Sequence, residues 1–285
     1  MVEVILEPIT YSFVARGLAA GILAAIGCAT LSAFVVWRGL AFAGDALAHS
    51  VLPGIVVAFV FGFSLFLGAL IAALVAVVGI GLIARGSRLR EDTAIGVTFS
   101  GLFALGILLL SRVASAQDLS HVLFGNILGV SRTDLILMAA VVVVVVAGVL
   151  IFFKELLVTS FDPAHSRAIG LAPDLTRYGL LAGLAVTTVV GAQTVGVVLV
   201  LALLVTPAAS ASLLSRKLSR IMGLSIVVAV ASTIGGFYAS YYLDFPSGPS
   251  IVLALTLFFL LAWFGSRLRW RGRLDAGTRT GAPNR

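Results

Sequence analysis

The chain has 285 residues, 60% of them apolar and 11% charged, with a mean hydropathy of +1.16. Soluble domains carry about 45–50% apolar and roughly 25% charged residues, so this composition excludes one. The formal charge of +7 does not point to nucleic acid, because the basic residues fall between and after apolar stretches, where they set orientation in a bilayer.

Stretches of about 20 apolar residues, each long enough to cross a hydrocarbon core of ~30 Å as a helix, recur along the whole chain. The N-terminal segment 1–12 carries Glu3 and Glu7 and no early Lys or Arg, so the first apolar stretch is expected to be a retained span rather than a signal peptide. Spans are predicted over 13–36, 39–61, 65–84, 94–111, 135–153, 178–191, 195–214, 221–240 and 249–266, giving nine, with eight as the near alternative. The fold class is all-α: a polytopic integral membrane protein with one transmembrane domain over 13–266. A basic tail, 267–285, follows and is expected to be loose at its end.

Within that frame, the longest run free of Asp, Glu, Lys, Arg and His is Tyr178 to Ser215, 38 residues. As one helix it would reach about 57 Å, so it is predicted to fold back near Gly191 to Gly196, the first arm being short. The β-branched run Val141 to Val146 is read as lipid-facing helix, the only backbone form that satisfies itself at that depth. Gly17 with Gly21, and Gly179 with Gly183, have the GxxxG spacing of close helix packing. Within the seventh span, Thr206 and Pro207 are expected to interrupt the hydrogen-bond ladder and leave small residues after them, for packing or as a flexible segment. The single cysteine, Cys28, excludes a disulfide framework and a thiolate metal site.

Lys and Arg fix the orientation. With the C-terminus inside, 16 of the 19 basic residues face the cytoplasm, and only Arg16, Arg112 and Arg132 lie outside. A cytoplasmic C-terminus follows, and an odd span count puts the N-terminus outside.

The second span holds the chemical anomaly, Asp45 and His49 inside WRGLAFAGDALAHSVLPGI. Asp45 is the only acidic residue within any predicted span, and an ionised carboxylate there is costly unless paired or hydrated. Residues four apart share a helix face, so carboxylate and imidazole can meet the same object. A carboxylate oxygen with an imidazole suits first-row divalent ions such as Mn²⁺ and Zn²⁺, and iron is compatible. Two ligands are fewer than the four of a closed structural site, which favours passage over permanent binding. The competing reading is a neutralised pair near the cytoplasmic interface. Pro53 and Gly54 follow directly and permit a kink beside the pair.

His121, in the outer loop QDLSHVLFGNILGVS, is a candidate outer metal ligand or a plain loop residue. In the inner loop, Asp162 and Pro163 read as the cap and first turn of a short helix ending at Ile169, with Gly170 as its stop. That helix is either a connection or a surface for another protein. The chain contains no GxxxxGK[ST] loop, no HExxH and no second intramembrane aspartate, so it is read as a transport subunit rather than an enzyme.

Four segments in this order, FVVWRGLAFAGDALAHSVLPGI, HVLFGNILGVS, FDPAHSRAIGL and VGVVLVLALLVTPAASA, make the chain resemble the permease subunits of ATP-binding-cassette importers for zinc, manganese and related divalent metals. The resemblance runs from about Phe13 to Phe264, and the first segment is its most specific part. It implies a homodimeric permease in a bacterial cytoplasmic membrane, with a cytoplasmic ATPase subunit and an extracytoplasmic metal-binding protein as partners. It implies that Asp45 and His49 line the translocation route. It also implies that a segment over about 160–174, with Asp162, Ala168 and Gly170 at the matching positions, couples to the ATPase. No cofactor is bound permanently on this reading; Zn²⁺ or Mn²⁺ is cargo. The alternatives are a proton-coupled secondary transporter in which Asp45 and His49 relay protons, and an ATP-driven permease for metal chelates.

Overall fold

A computed structural model of the chain describes residues 10–86, 89–113 and 127–279, and among these every regular element is a helix. Twelve α-helices follow one another: α1 (Ser12–Trp37), α2 (Ala43–Ser50), α3 (Leu52–Phe61), α4 (Leu65–Gly86), α5 (Glu91–Leu110), α6 (Arg132–Ile151), α7 (Phe153–Phe161), α8 (Pro163–Ala168), α9 (Pro173–Thr194), α10 (Val197–Ser212), α11 (Leu218–Leu243) and α12 (Ser247–Arg279). A 3₁₀ turn, Ile127–Gly129, precedes α6. Eight helical stretches are long and apolar enough to cross a membrane, with α2 and α3 counted together, and α10 is a shorter apolar ninth. The two counts predicted from sequence are thus both present, one with α10 and one without it.

The centre of the bundle is α1. In its apolar window 72% of residues are buried, against 17% for α5 and 11% for α12, so α1 is surrounded while α5 and α12 face outward. It packs against α6, α9, α10 and α11. Its small residues make this possible: Gly17 lies against the Ile127 carbonyl, and Gly21 lies against Thr233 of α11. The first predicted glycine pair is therefore a packing motif. The second is not, since Gly179 has open space around it and Gly183 meets only the tip of Leu31 at 3.9 Å from an added β-carbon.

The second span bends. Helix α2 ends at Ser50, Val51 is a turn, and α3 carries Pro53 in its first turn, where the missing N–H costs nothing. Gly54 of α3 and Gly68 of α4 then meet backbone to backbone, each occupying the place where a β-carbon on the other would stand. That contact holds α3 against α4 and sets the entry of the second span.

The uncharged run folds back at Val195–Gly196, as predicted, but its first arm is long and its second short. Helix α9 runs for 22 residues from Pro173, because Arg177 is helical and paired rather than a loop boundary. Helix α10 has 16 residues, about 24 Å. Gly196 supplies the reversal with φ 98° and ψ 150°, a region closed to residues with a β-carbon. Pro207 does not break α10, which continues through it; the adjacent Ala208 N–H donates to Ser32 Oγ of α1 at 3.3 Å. Helix α12 runs on past the last predicted span to Arg279, and the end of the basic tail lies outside the described residues.

Substituting Gly54→Ala is expected to overpack the α3–α4 crossing and cost about 1–3 kcal/mol. A melting curve in detergent checks it, read by a thiol-reactive dye that reports exposure of the buried, single Cys28; an unchanged Tm would contradict the backbone contact.

Candidate functional site

Helix α2 presents Asp45 in its first turn and His49 in its last, one turn apart on the same face. The helix N-terminus favours the carboxylate through its unpaired N–H groups. Asp45 Oδ1 and His49 Nε2 stand 3.4 Å apart, with about a third of each side chain exposed, 32% and 35%. The opposite face of α2 is closed by Ala43, Ala46, Leu47 and Ala48, all buried. The pair thus looks out of the protomer while its helix is fixed from behind.

One wall of the site is aromatic and comes from α5. The rings of Phe103 and Phe99 lie 5.6 and 6.2 Å from the His49 ring, and they stack on each other at 5.6 Å. Phe42, just before α2, meets Phe99 edge-on at 5.8 Å. These phenyl groups exclude water from one side of the imidazole and leave the Asp45 side as the polar approach. Sequence reasoning missed them. The Phe99/Phe103 spacing places both on one helix face, but an apolar pair on a membrane helix is indistinguishable from lipid-facing or core residues.

No group of three or more His, Cys, Asp or Glu side chains converges among the described residues. Asp45 and His49 alone thus supply one carboxylate and one imidazole, fewer donors than a closed metal site takes. His121 lies outside the described residues.

Below the pair, at the end of α1, lies a charged cluster that the sequence reading treated only as orientation markers. Arg177 Nε of α9 donates to Glu91 Oε1 of α5 at 2.7 Å, and both side chains are largely buried. Arg38 donates to Ser160 Oγ at 2.9 Å and Thr159 Oγ1 at 3.2 Å, both on α7. Burial pulls the Arg38 guanidinium below its ordinary range, Glu91 partly offsets this, and Arg177 adds to it. A second pair, Arg85 with Asp174 at 2.9 Å, is exposed and contributes little.

The predicted short helix is α8. Asp162 caps it, its Oδ1 accepting from the His165 N–H at 2.8 Å, and Pro163 occupies the first turn. The helix ends at Ala168, one residue before the expected Ile169. Gly170, at φ 82°, reverses the chain, and the Leu171 N–H returns to the Ser166 carbonyl at 2.9 Å. Asp162, Ala168 and Gly170 thus sit at the start, end and stop of one exposed turn, held to α1 by Trp37 against Phe161 and Phe34 against Phe153.

A multi-span helical bundle with an outward-looking carboxylate–imidazole pair and an exposed inter-span helix has the features of a membrane permease. The ABC 3 transport family matches residues 10–266, and the chain belongs to that family. It is 40% identical over 272 residues to the "Manganese transport system membrane protein MntC" of Halalkalibacterium halodurans, covering 93% of each chain. It is 40% identical over 260 residues to the "Chelated iron transport system membrane protein YfeD" of Yersinia pestis, covering 91% of this chain and 88% of that one. Among solved structures, "PsaBC from Streptococcus pneumoniae in complex with Fab" matches with a TM-score of 0.80 at 35% identity, over 92% of this chain and 95% of that one. An inward-facing "putative metal-chelate type ABC transporter" matches at TM-score 0.70 and 15% identity, a likeness of fold.

Glu91→Gln removes the acid paired with Arg177 and leaves that part-buried guanidinium, with Arg38 within its electrostatic reach, without a counter-charge among the described residues. The expected loss is roughly 1.5–3 kcal/mol, seen as a lower Tm in the same Cys28 dye assay, whereas Asp174→Asn at the exposed pair is expected to change it little. Equal effects would contradict the difference in burial.

Proposed function

We propose that the chain is the membrane-spanning subunit of an ATP-driven importer that carries manganese(II) or iron(II) across a bacterial cytoplasmic membrane. The observation that carries the proposal is the Asp45–His49 pair, an acid and an imidazole on one face of a membrane-spanning helix, in a chain whose relatives are named for manganese and iron transport. One hard oxygen and one imidazole nitrogen bind first-row divalent cations without strong preference. Zinc fits the same ligands, but the relatives reported above favour manganese or iron as cargo.

A third-exposed carboxylate cannot face lipid. A second copy covering the α2 and α5 faces would bring two pairs together on a shared axis and give the cation four protein ligands. Such a site holds the ion loosely in transit, while affinity and selection rest with an extracytoplasmic binding protein. The sequence has no P-loop, so hydrolysis falls to a separate cytoplasmic ATPase, docked on α8 through the turn bounded by Asp162, Ala168 and Gly170. The basic-residue distribution sets α8 and the C-terminus inside and the N-terminus outside.

Asp45→Ala is expected to abolish metal accumulation while the subunit still assembles with its ATPase, and His49→Ala to reduce it by an order of magnitude or more (~10-fold). Elemental analysis of Mn, Fe, Co and Zn in uptake-deficient cells expressing the subunits, each omitted in turn, provides the measurement. Accumulation that needs all subunits supports the importer; accumulation by this chain alone, driven by a proton gradient, would replace it with a proton-coupled carrier using Asp45.

A further inference from the structure

A groove of about 580 Å³ runs between α7 and the start of α11. Its length is graded in polarity. Phe153, Leu157 and Phe161 form an apolar floor along α7, beginning two residues after the membrane-crossing α6 ends. At its rim stand Arg216 and Lys217, in the connection between α10 and α11, and His165 on α8. The Arg216 and Lys217 side chains are exposed and make no hydrogen bond or ion pair among the described residues. The acid of the lining, Asp162, is already engaged as the cap of α8.

We infer that this groove binds an anionic phospholipid of the inner leaflet. The phosphate would sit between Arg216, Lys217 and His165, and an acyl chain would lie along Phe153, Leu157 and Phe161. Three features argue for a lipid over a soluble anion or a protein segment. The apolar floor adjoins the hydrocarbon end of α6, the two free cations stand where α10 leaves and α11 enters the membrane, and basic pockets between spans at the cytoplasmic face favour anionic headgroups. A phosphate alone would leave the floor exposed to water, which apolar surface disfavours. The floor residues Phe153 and Phe161 also pack on Phe34 and Trp37 of α1. A bound lipid would therefore brace α7, the strut that carries α8.

The inference rests on the orientation proposed above, with α8 inside, but its test does not. Native mass spectrometry of the full chain in detergent, titrated with phosphatidylglycerol or phosphatidylcholine, reads binding directly. Phosphatidylglycerol is expected to be retained preferentially. The double substitution R216Q/K217Q is expected to weaken retention roughly 30-fold, about fivefold per basic side chain. R220Q, a nearby cytoplasmic arginine outside the groove, is expected to leave it unchanged. Equal losses in both variants would mean diffuse charge rather than a site. Displacement by inorganic phosphate would assign the groove to a free anion, and release of the lipid on adding the ATPase subunit would assign it to that partner; each overturns the inference. Whether α8 is cytoplasmic is settled separately, by labelling a cysteine placed at Ala164 from either side of sealed vesicles, so the failure of one reading is distinguishable from failure of the other.

Discussion

An ionisable carboxylate in a membrane-spanning helix has to be met by something other than lipid, and much of this molecule is arranged around Asp45. The helix that carries it is short, ends within one turn of His49, and is closed behind by alanines and a leucine that leave no room for it to rotate. The bend at Val51 and Pro53 then hands the span to α3, which is pinned to α4 through the Gly54–Gly68 backbone contact. Fixing the helix on its apolar side leaves the polar pair on the only face where its charge can be answered. The same packing explains why the pair is poorly buried in one protomer although it lies in an apolar sequence.

On the importer reading proposed above, this fixed pair would be approached from two sides in turn, and so the surrounding helices would have to shift without unpacking. The central α1 suits that role. Its glycines and alanines allow close approach of neighbouring helices along its first half, while Leu31 and Phe34 interlock near its end. Small-residue contacts of this kind rely on surface match rather than on long interdigitated side chains, and sliding along them costs less rearrangement. By contrast, the Ala208 N–H to Ser32 Oγ bond ties α10 to α1 beside Pro207, at a point where the proline would otherwise weaken the helix.

The parts that were legible in the sequence are those where one residue type has one meaning in a bilayer. Asp45 stands out because no other predicted span contains an acid, and Gly170 and Asp162 because a left-handed stop and a capped start each need their residue. What stayed hidden depends on partners distant in sequence. Arg177 reads as a loop boundary until Glu91, 86 positions away, is found paired with it, and this is why α9 begins earlier than charge counting suggests. Phe99 and Phe103 carry no polar mark, so their place beside His49 comes only from the packing of α5 on α2. Gly179 and Gly183 repeat the spacing of Gly17 and Gly21, yet Gly179 has open space and Gly183 meets only the tip of Leu31, because spacing alone does not select a neighbour.

The charged cluster gives the exposed helix α8 two separate holds on the site. Immediately before α8, α7 is joined to the end of α1 by Arg38 with Ser160 and Thr159, and by two aromatic contacts. Immediately after it, α9 is joined to the start of α5 by Arg177 with Glu91. Helix α1 leads through a five-residue connection into α2 and the Asp45–His49 pair, and α5 carries the phenyl wall against His49. Both holds are part-buried polar contacts, less open to water than the exposed Arg85–Asp174 pair. If α8 is the docking turn proposed above, a push on it would reach the two sides of the site together, the Asp45–His49 pair through α1 and the aromatic wall through α5, and would change the space between them rather than translate the site as a block.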